Sequence, residues 1–246
     1  MLKEPTLEQL SGLKLHALAR AWQGQQEDPT MGDLGFDERL GLLVDAEWID
    51  RQNKRLDRLL RAAKLRLTGA CLEDIEYARE RKLDKAILRQ LATGRWIEAR
   101  YNVVITGATG VGKTYLACAL AQQACRLGYR TLYRRAPRLF DELKLARADG
   151  TYTRLLARFA KVDVLVLDDW GLVPVKDVER RDILEIMEDR HGLRSTIWTS
   201  QIPVAQWHDQ IGDPTIADAI CDRLLHNAQR IVLQGPSRRK VKTKEN

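Results

Sequence analysis

Gly107, Gly110, Gly112, Lys113 and Thr114 stand in the run GATGVGKT, a G-x-x-x-x-G-K-T spacing. Glycines here let the backbone turn back on itself and aim consecutive N–H groups at phosphate oxygens. The lysine would reach the β- and γ-phosphates, and the threonine hydroxyl would ligate Mg²⁺. The chemistry is capture of a nucleoside triphosphate with its Mg²⁺. The bland alternative is a glycine-rich turn followed by an incidental Lys-Thr, and the flanks argue against it. Asn102 to Thr106 is a short β-branched apolar run and Tyr115 to Leu127 is rich in Ala and Leu. Strand, loop and helix therefore come in the order a phosphate-binding loop needs, with the helix N-terminus adding its positive dipole end.

A second cluster lies downstream. VDVLVLDDW, residues 162 to 170, is an unbroken apolar strand ending in two carboxylates. With a phosphate loop upstream, Asp168 is expected to hold Mg²⁺ and Asp169 to orient or deprotonate an attacking water. Ser195 to Ser200 reads as another inner strand, and Gln201 just beyond it either touches the γ-phosphate or is an ordinary polar strand end. In a parallel α/β sheet all these groups would meet at the carboxyl ends of the strands.

The remaining elements must position that rim. Arg130 to Arg134 and Arg230 to Leu233 complete the strand set. Helices are expected at Pro137 to Ala148, Thr151 to Ala160, Val178 to His191, Pro203 to Gln210 and Thr215 to Asn227. Upstream, the pattern predicts a helix from Thr6 to about Ala21 with Thr6 and Gln9 as a capping box, and a long one from Phe36 to Leu67. Cys71 to Leu91 is expected to continue helical, with a hinge at Thr93 to Trp96. Trp96 either covers an adenine ring or packs beneath the first strand. The implied organisation is a helical N-terminal domain, 1–67, a linker helix and hinge, 68–100, the nucleotide-binding domain, 101–240, and a basic tail, 241–246.

The formal charge is +7 and the pI about 9.3. Seven cations crowd between Arg51 and Arg66 against Asp57 alone. Arg51, Lys54, Arg55, Arg58, Arg61 and Arg66 share one arc of a helix, opposite Leu56, Leu59, Leu60, Ala63 and Leu67. Such a face is either merely solvated or grips a nucleic-acid backbone, and its shortage of acidic residues favours the second reading, with Arg51, Lys54, Arg55, Arg58 and Arg61 as DNA contacts. The four cysteines show no C-x-x-C spacing, so neither zinc nor a disulfide framework is expected. No run is long enough to span a membrane and the start is too charged for a signal peptide, so a cytoplasmic protein is expected.

GATGVGKT, ARADGTY at 146 to 152, VLVLDDWGL, RRDILEI, TSQIPVAQWH, IGDPTIADAICDRLLHNAQRI and GPSRRK together resemble the IstB family. These are ATP-binding helpers of bacterial insertion sequences, similar to the helicase loader DnaC. The resemblance implies the AAA+ P-loop NTPase fold, an α/β architecture with a parallel five-stranded sheet and helices on both faces, preceded by a small all-α N-terminal domain. It also implies homo-oligomers, spiral or helical, with ATP at the subunit seam. Read from the sequence alone, Arg223 is a surface cation, an intrachain ion-pair partner or a catalytic finger; the resemblance points to the finger, acting on the neighbour's ATP. Arg239 corresponds to a late arginine contacting phosphate in its own subunit. The implied activity is ATP hydrolysis coupled to assembly on duplex DNA, with little sequence preference, and activation of a cognate transposase. The alternatives are a helicase loader on single-stranded DNA and a small-molecule phosphotransferase, for which neither acceptor pocket nor lid is evident. Two departures are Asp169 where many AAA+ proteins have Glu, and Gln201 where other clades have Asn.

Overall fold

The computed structural model describes residues 3–238. The chain forms two compact units, Met1–Arg58 and Leu59–Asn246. The first begins with α1 (Lys3–Gly12) and α2 (His16–Glu27), which are separate helices where the sequence predicts one. The break comes from Lys14, whose φ of 59° is left-handed, with Leu15 N–H donating back to the Leu10 carbonyl at 2.9 Å. A lysine in a position usually given to glycine leaves little trace in a sequence. The capping box is also corrected: α1 starts upstream at Lys3, with Pro5 in its first turn, and Thr6 lies inside the helix.

The next helix, α3, runs Phe36–Ala63. Inside the first unit, Glu47 is 7% exposed and accepts from the N–H groups of Ala17 and Leu18 at 3.0 and 3.1 Å. A carboxylate thus closes the first turn of α2, where the helix dipole favours negative charge. Arg51 Nε donates to the same carboxylate at 2.8 Å, and this hydrogen bond foremost holds Glu47 below the ordinary carboxylate range.

The continuous helix expected from Cys71 to Leu91 does not form. Residues 64–84 are turns with a short 3₁₀ piece at Arg79–Arg81, and α4 is confined to Lys85–Ala92, capped by Asp84 accepting from Ala86 N–H at 2.7 Å. Leu65, Ala70 and Ile75 bury here without helical backbone, and left-handed Lys64 and Lys82 bound the segment. Gly94, at φ 79°, turns into the short α5 (Arg95–Glu98), whose Trp96 is 6% exposed and donates to the Leu91 carbonyl at 3.0 Å. Of its two expected places, Trp96 takes the packed one.

The sheet has five parallel strands in the order β2-β3-β4-β1-β5: β1 Asn102–Gly107, β2 Thr131–Arg135, β3 Val164–Trp170, β4 Ser195–Ser200 and β5 Ala228–Leu233. Val103 to Ile105 and Val164 to Leu167 are no more than 1% exposed, as strands covered on both faces require. The Ala-rich α6 (Lys113–Arg126) follows β1 and is buried along most of its length. Two helices, α7 (Ala136–Ala148) and α8 (Tyr152–Lys161), separate β2 from β3, as the sequence predicts. A shared core gathers α7, α8, α9 (Asp177–Arg190), α10 (Trp207–Ile211) and α11 (Pro214–Leu225) with β3 and β4. At its centre Trp170 meets Trp198 edge-on at 4.8 Å and Trp207 at 6.3 Å. Among the described residues no helix is long and apolar enough to cross a membrane.

Candidate nucleotide site

The loop from Gly107 to Gly112 joins β1 to α6, and all three of its glycines have positive φ, from 88° to 145°. A Cβ on Gly107 would lie 2.2 Å from the Leu233 carbonyl oxygen, and one on Gly110 would lie 2.1 Å from Ser237 Oγ. The turn is thus closed to any other residue by contact as well as by conformation. Lys113 is 6% exposed, and its ammonium donates to the Gly107 and Ala108 carbonyls at 2.7 and 2.8 Å, held over the loop it would serve. Beneath the loop Arg81, 7% exposed, donates to the Glu76 and Val111 carbonyls at 2.8 and 3.3 Å. Burial lowers the affinity of Arg81 for its proton. Arg238 N–H donates to the Gly110 carbonyl at 3.0 Å, and its guanidinium pairs with Glu76.

Across the loop, Asp168 is fully buried at the carboxyl end of β3 and receives three hydroxyls. Thr114 Oγ1 reaches its two oxygens at 3.1 and 3.0 Å; Tyr133 and Thr199 donate at 2.5 Å each. Burial first, then the Asp168 carboxylate, pushes the Tyr133 hydroxyl far above its usual range, so it remains a donor. Thr199 Oγ1 also accepts from Asp169 N–H at 3.1 Å, fixing a β3 end where register slips and Asp169 takes φ 60°. The Asp169 carboxylate pairs with Arg135 Nε at 2.9 Å and Arg66 at 3.6 Å. Gln201 lies at the same rim and accepts from Thr109 Oγ1 at 2.7 Å.

This donor set fits the groups it implies. Mg²⁺ commonly takes one or two protein oxygens and completes its shell with phosphate and water. Thr114 and Asp168 supply hard oxygens within one hydrogen bond of each other, and the glycine cradle with Lys113 supplies the anion site.

The sequence-predicted residues Gly107, Gly110, Gly112, Lys113, Thr114, Asp168, Asp169 and Gln201 are therefore gathered on one rim. Arg223 is not among them. Its backbone carbonyl accepts from Asn102 Nδ2 at 3.4 Å, at the start of β1, so it occupies the amino ends of the strands. Its guanidinium pairs with Glu188 and donates to the Ala219 carbonyl at 2.9 Å. Arg239 lies outside the described residues. Arg66 is corrected: it leaves the basic arc, lies beyond the end of α3, and turns to the carboxylates of β3. The five other arc residues are exposed, but the shortage of acidic partners is also corrected, since Arg51 pairs with Glu47 and Lys54 with Asp50, one turn back. Sequence reading passed over Tyr133, Thr199, Arg135 and Arg81. The first three stand at or beside the ends of strands facing the loop, which is the one signal that marks them.

The profile of the family described as IstB-like ATP binding protein matches residues 8–246. The chain belongs to the IstB-like ATP binding protein family. This IstB-like chain is 50% identical over 240 residues to the insertion sequence ATP-binding protein y4pL of Sinorhizobium fredii, covering 98% of each. It is 52% identical over 203 residues to the IS1162 ATP-binding protein of Pseudomonas fluorescens, covering 82% of this chain and 88% of that one. Among solved structures, DnaI superimposes with a TM-score of 0.56 at 25% identity, over 72% of this chain and 94% of that one. The IstB-like fold is thus the AAA+ fold of DnaI, DnaA and DnaC.

Proposed function

We propose that this protein is a Mg²⁺-dependent AAA+ ATPase that assembles on duplex DNA when ATP is bound, selects target DNA for an insertion sequence and activates its transposase. The observation that carries the ATPase part is the Thr114–Asp168 pair facing the glycine cradle. Lys113 and the loop N–H groups bind the phosphates, Thr114 and Asp168 would hold Mg²⁺, which would supply charge neutralisation at the phosphates, and Asp169 orients the attacking water. Gln201, one hydrogen bond from the loop, senses the γ-phosphate.

Arg223 supports an assembly. It stands at the opposite end of the strands from its own cradle, about 16–20 Å away along β1, so any nucleotide it reaches belongs to another copy. The insertion-sequence role is carried over from relatives that bear that name. Arg51, Lys54, Arg55, Arg58 and Arg61 supply backbone contacts to duplex DNA, sequence-independent and salt-sensitive.

The test is electron microscopy and light scattering of the wild type and Lys113→Ala with Mg·ATP and long duplex. Wild type should form nucleotide-dependent assemblies that Lys113→Ala cannot, and a monomeric wild type at saturation would overturn the reading. The fold shared with the structure described as the DnaC helicase loader keeps one alternative in play, a helicase loader on single-stranded DNA. Tighter binding to single strands than to duplex would select it.

A further inference from the structure

At the amino ends of the strands, within the second unit, a shallow depression is lined by Arg100, Asn102, Arg190, His191, Arg194 and Arg223 among others. Four guanidinium groups meet there, and two carboxylates pair with them. Glu188 is taken by Arg223, and Asp163 is divided between Arg194 at 3.7 Å and Arg130, outside the depression, at 3.3 Å. Arg190 is 1% exposed and commits its nitrogens to the Phe159, Val162 and Ser195 carbonyls and the Thr196 hydroxyl. Burial foremost, with Arg194 adding repulsion, brings the Arg190 pKa down to about 9. The face carries more positive charge than it neutralises.

Among the described residues, no carboxylate pairs with Arg100. This side chain is exposed, and its guanidinium donates to the Gly192 carbonyl at 2.9 Å. Its backbone is fixed. Arg100 N–H donates to the Ile97 carbonyl at 3.1 Å and Tyr101 N–H to the Trp96 carbonyl at 2.8 Å. With φ at 61°, an arginine thus occupies the left-handed position after α5 that glycine ordinarily takes. Two residues on, Asn102 Nδ2 donates to the Arg223 and Leu224 carbonyls at 3.4 and 3.1 Å, and Asn102 Oδ1 accepts from Thr196 N–H at 2.9 Å. One asparagine therefore ties the backbone that bears Arg100 to the backbone that bears Arg223.

We propose that Arg100 is a second cation acting in trans, binding phosphate oxygens of the nucleotide held by a neighbouring copy, beside Arg223. This rests on the assembly reading above and adds a binding residue to it. Two arginines that share one anchor travel together, so an anion that comes to Arg223 meets Arg100 as well. How each is held separates their roles. Arg223 has nitrogens on Glu188 and on the Ala219 carbonyl, a fixed geometry suited to charge that develops only during transfer. Arg100, exposed and held at one nitrogen, attracts the ground state and the transition state alike, which tightens binding without raising the maximal rate.

The experiment uses the full chain. Turnover and light scattering are followed against Mg·ATP concentration, and mant-ATP binding is measured at dilutions where the protein is monomeric. Tripolyphosphate binding to Lys113→Ala, whose cradle is disabled, is measured by isothermal titration calorimetry. Arg100→Gln should raise the Mg·ATP concentration for half-maximal assembly and turnover several-fold, keep the maximal rate, and leave mant-ATP binding at dilution unchanged. Arg100→Lys should recover most of the loss. Arg100→Gly removes the side chain while easing the left-handed turn, so it should melt no lower than wild type and show the same loss. Lys113→Ala protein, which keeps an intact Arg100 and Arg223, should restore turnover when mixed with Arg100→Gln at limiting Mg·ATP. Tripolyphosphate should bind Lys113→Ala but not Lys113→Ala combined with Arg100→Gln, and a short duplex should not displace it. An unchanged Mg·ATP dependence in both Arg100→Gln and Arg100→Gly, weakened mant-ATP binding at dilution, or no rescue by Lys113→Ala overturns the proposal. Displacement of tripolyphosphate by duplex also overturns it, marking the face as a nucleic-acid contact. Should wild type neither assemble nor turn over Mg·ATP, the assembly reading fails instead, and the calorimetry still decides whether Arg100 holds polyphosphate.

Discussion

Two polar regions of this molecule are built on opposite plans. At the carboxyl rim of the sheet, Asp168 is fully buried and held by three hydroxyls from α6, β2 and β4. On α3, Arg51 and Lys54 lie in water with partners one turn back on their own helix. The first arrangement is over-determined, since each hydroxyl arrives from a different element and none can move alone. In the second, each cation is one of several equivalent charges, exposed pairs of this kind being worth little individually. Roles that depend on geometry should therefore break on a single change, and roles that depend on summed charge should fade gradually.

The largest effect is expected at Arg223. Arg223→Ala should retain mant-ATP binding while turnover falls on the order of 10³-fold, because a trans arginine acts only on the transferring phosphoryl; unchanged turnover removes the finger. Next comes Thr199→Val, similar in shape but lacking the hydroxyl that donates to Asp168 and accepts from Asp169 N–H. With the Asp169 N–H left without that acceptor and Asp168 reduced to two of its three donors, a loss of about 2 kcal/mol is expected in denaturant unfolding. A change no larger than that of a surface arginine would dissolve the contrast drawn above.

Glu47→Gln probes the first unit. Glu47 titrates below its ordinary value of 4.5, so its contribution is present above 4.5 and lost as pH falls through the lower folded value. The variant should cost about 1 kcal/mol near neutral pH, with the gap from wild type closing in acid melts. Smallest of all, Arg55→Ala with Arg58→Ala should leave stability nearly unchanged and lower the salt slope of duplex binding by about two.

The same contrast explains what was legible beforehand. The glycine cradle, Lys113, Thr114 and the β3 aspartates follow from chemistry that fixes residue type and spacing together, and β4 falls at Ser195 to Ser200 as its apolar run predicts. Residues 64–84 misled because Leu83, Ile87 and Leu91 share a helical period that extends only over Lys85–Ala92. The turns before it are held by Ala70, Ile75 and Arg81 against distant partners, a tertiary effect with no local period. Tyr133 and Thr199 were invisible for a related reason: their partner is Asp168, 35 and 31 residues away. Arg66 was grouped by charge with its neighbours, whereas the end of α3 at Ala63 and left-handed Lys64 redirect it.

The clustered indoles of Trp170, Trp198 and Trp207, packed edge-on and tilted, account for half of the six tryptophans in the chain. Rings this close couple their electronic transitions, and Trp170 adjoins Asp169 in β3. Near-ultraviolet circular dichroism therefore carries a built-in, label-free optical signature of that strand end, one that shifts whenever its backbone does.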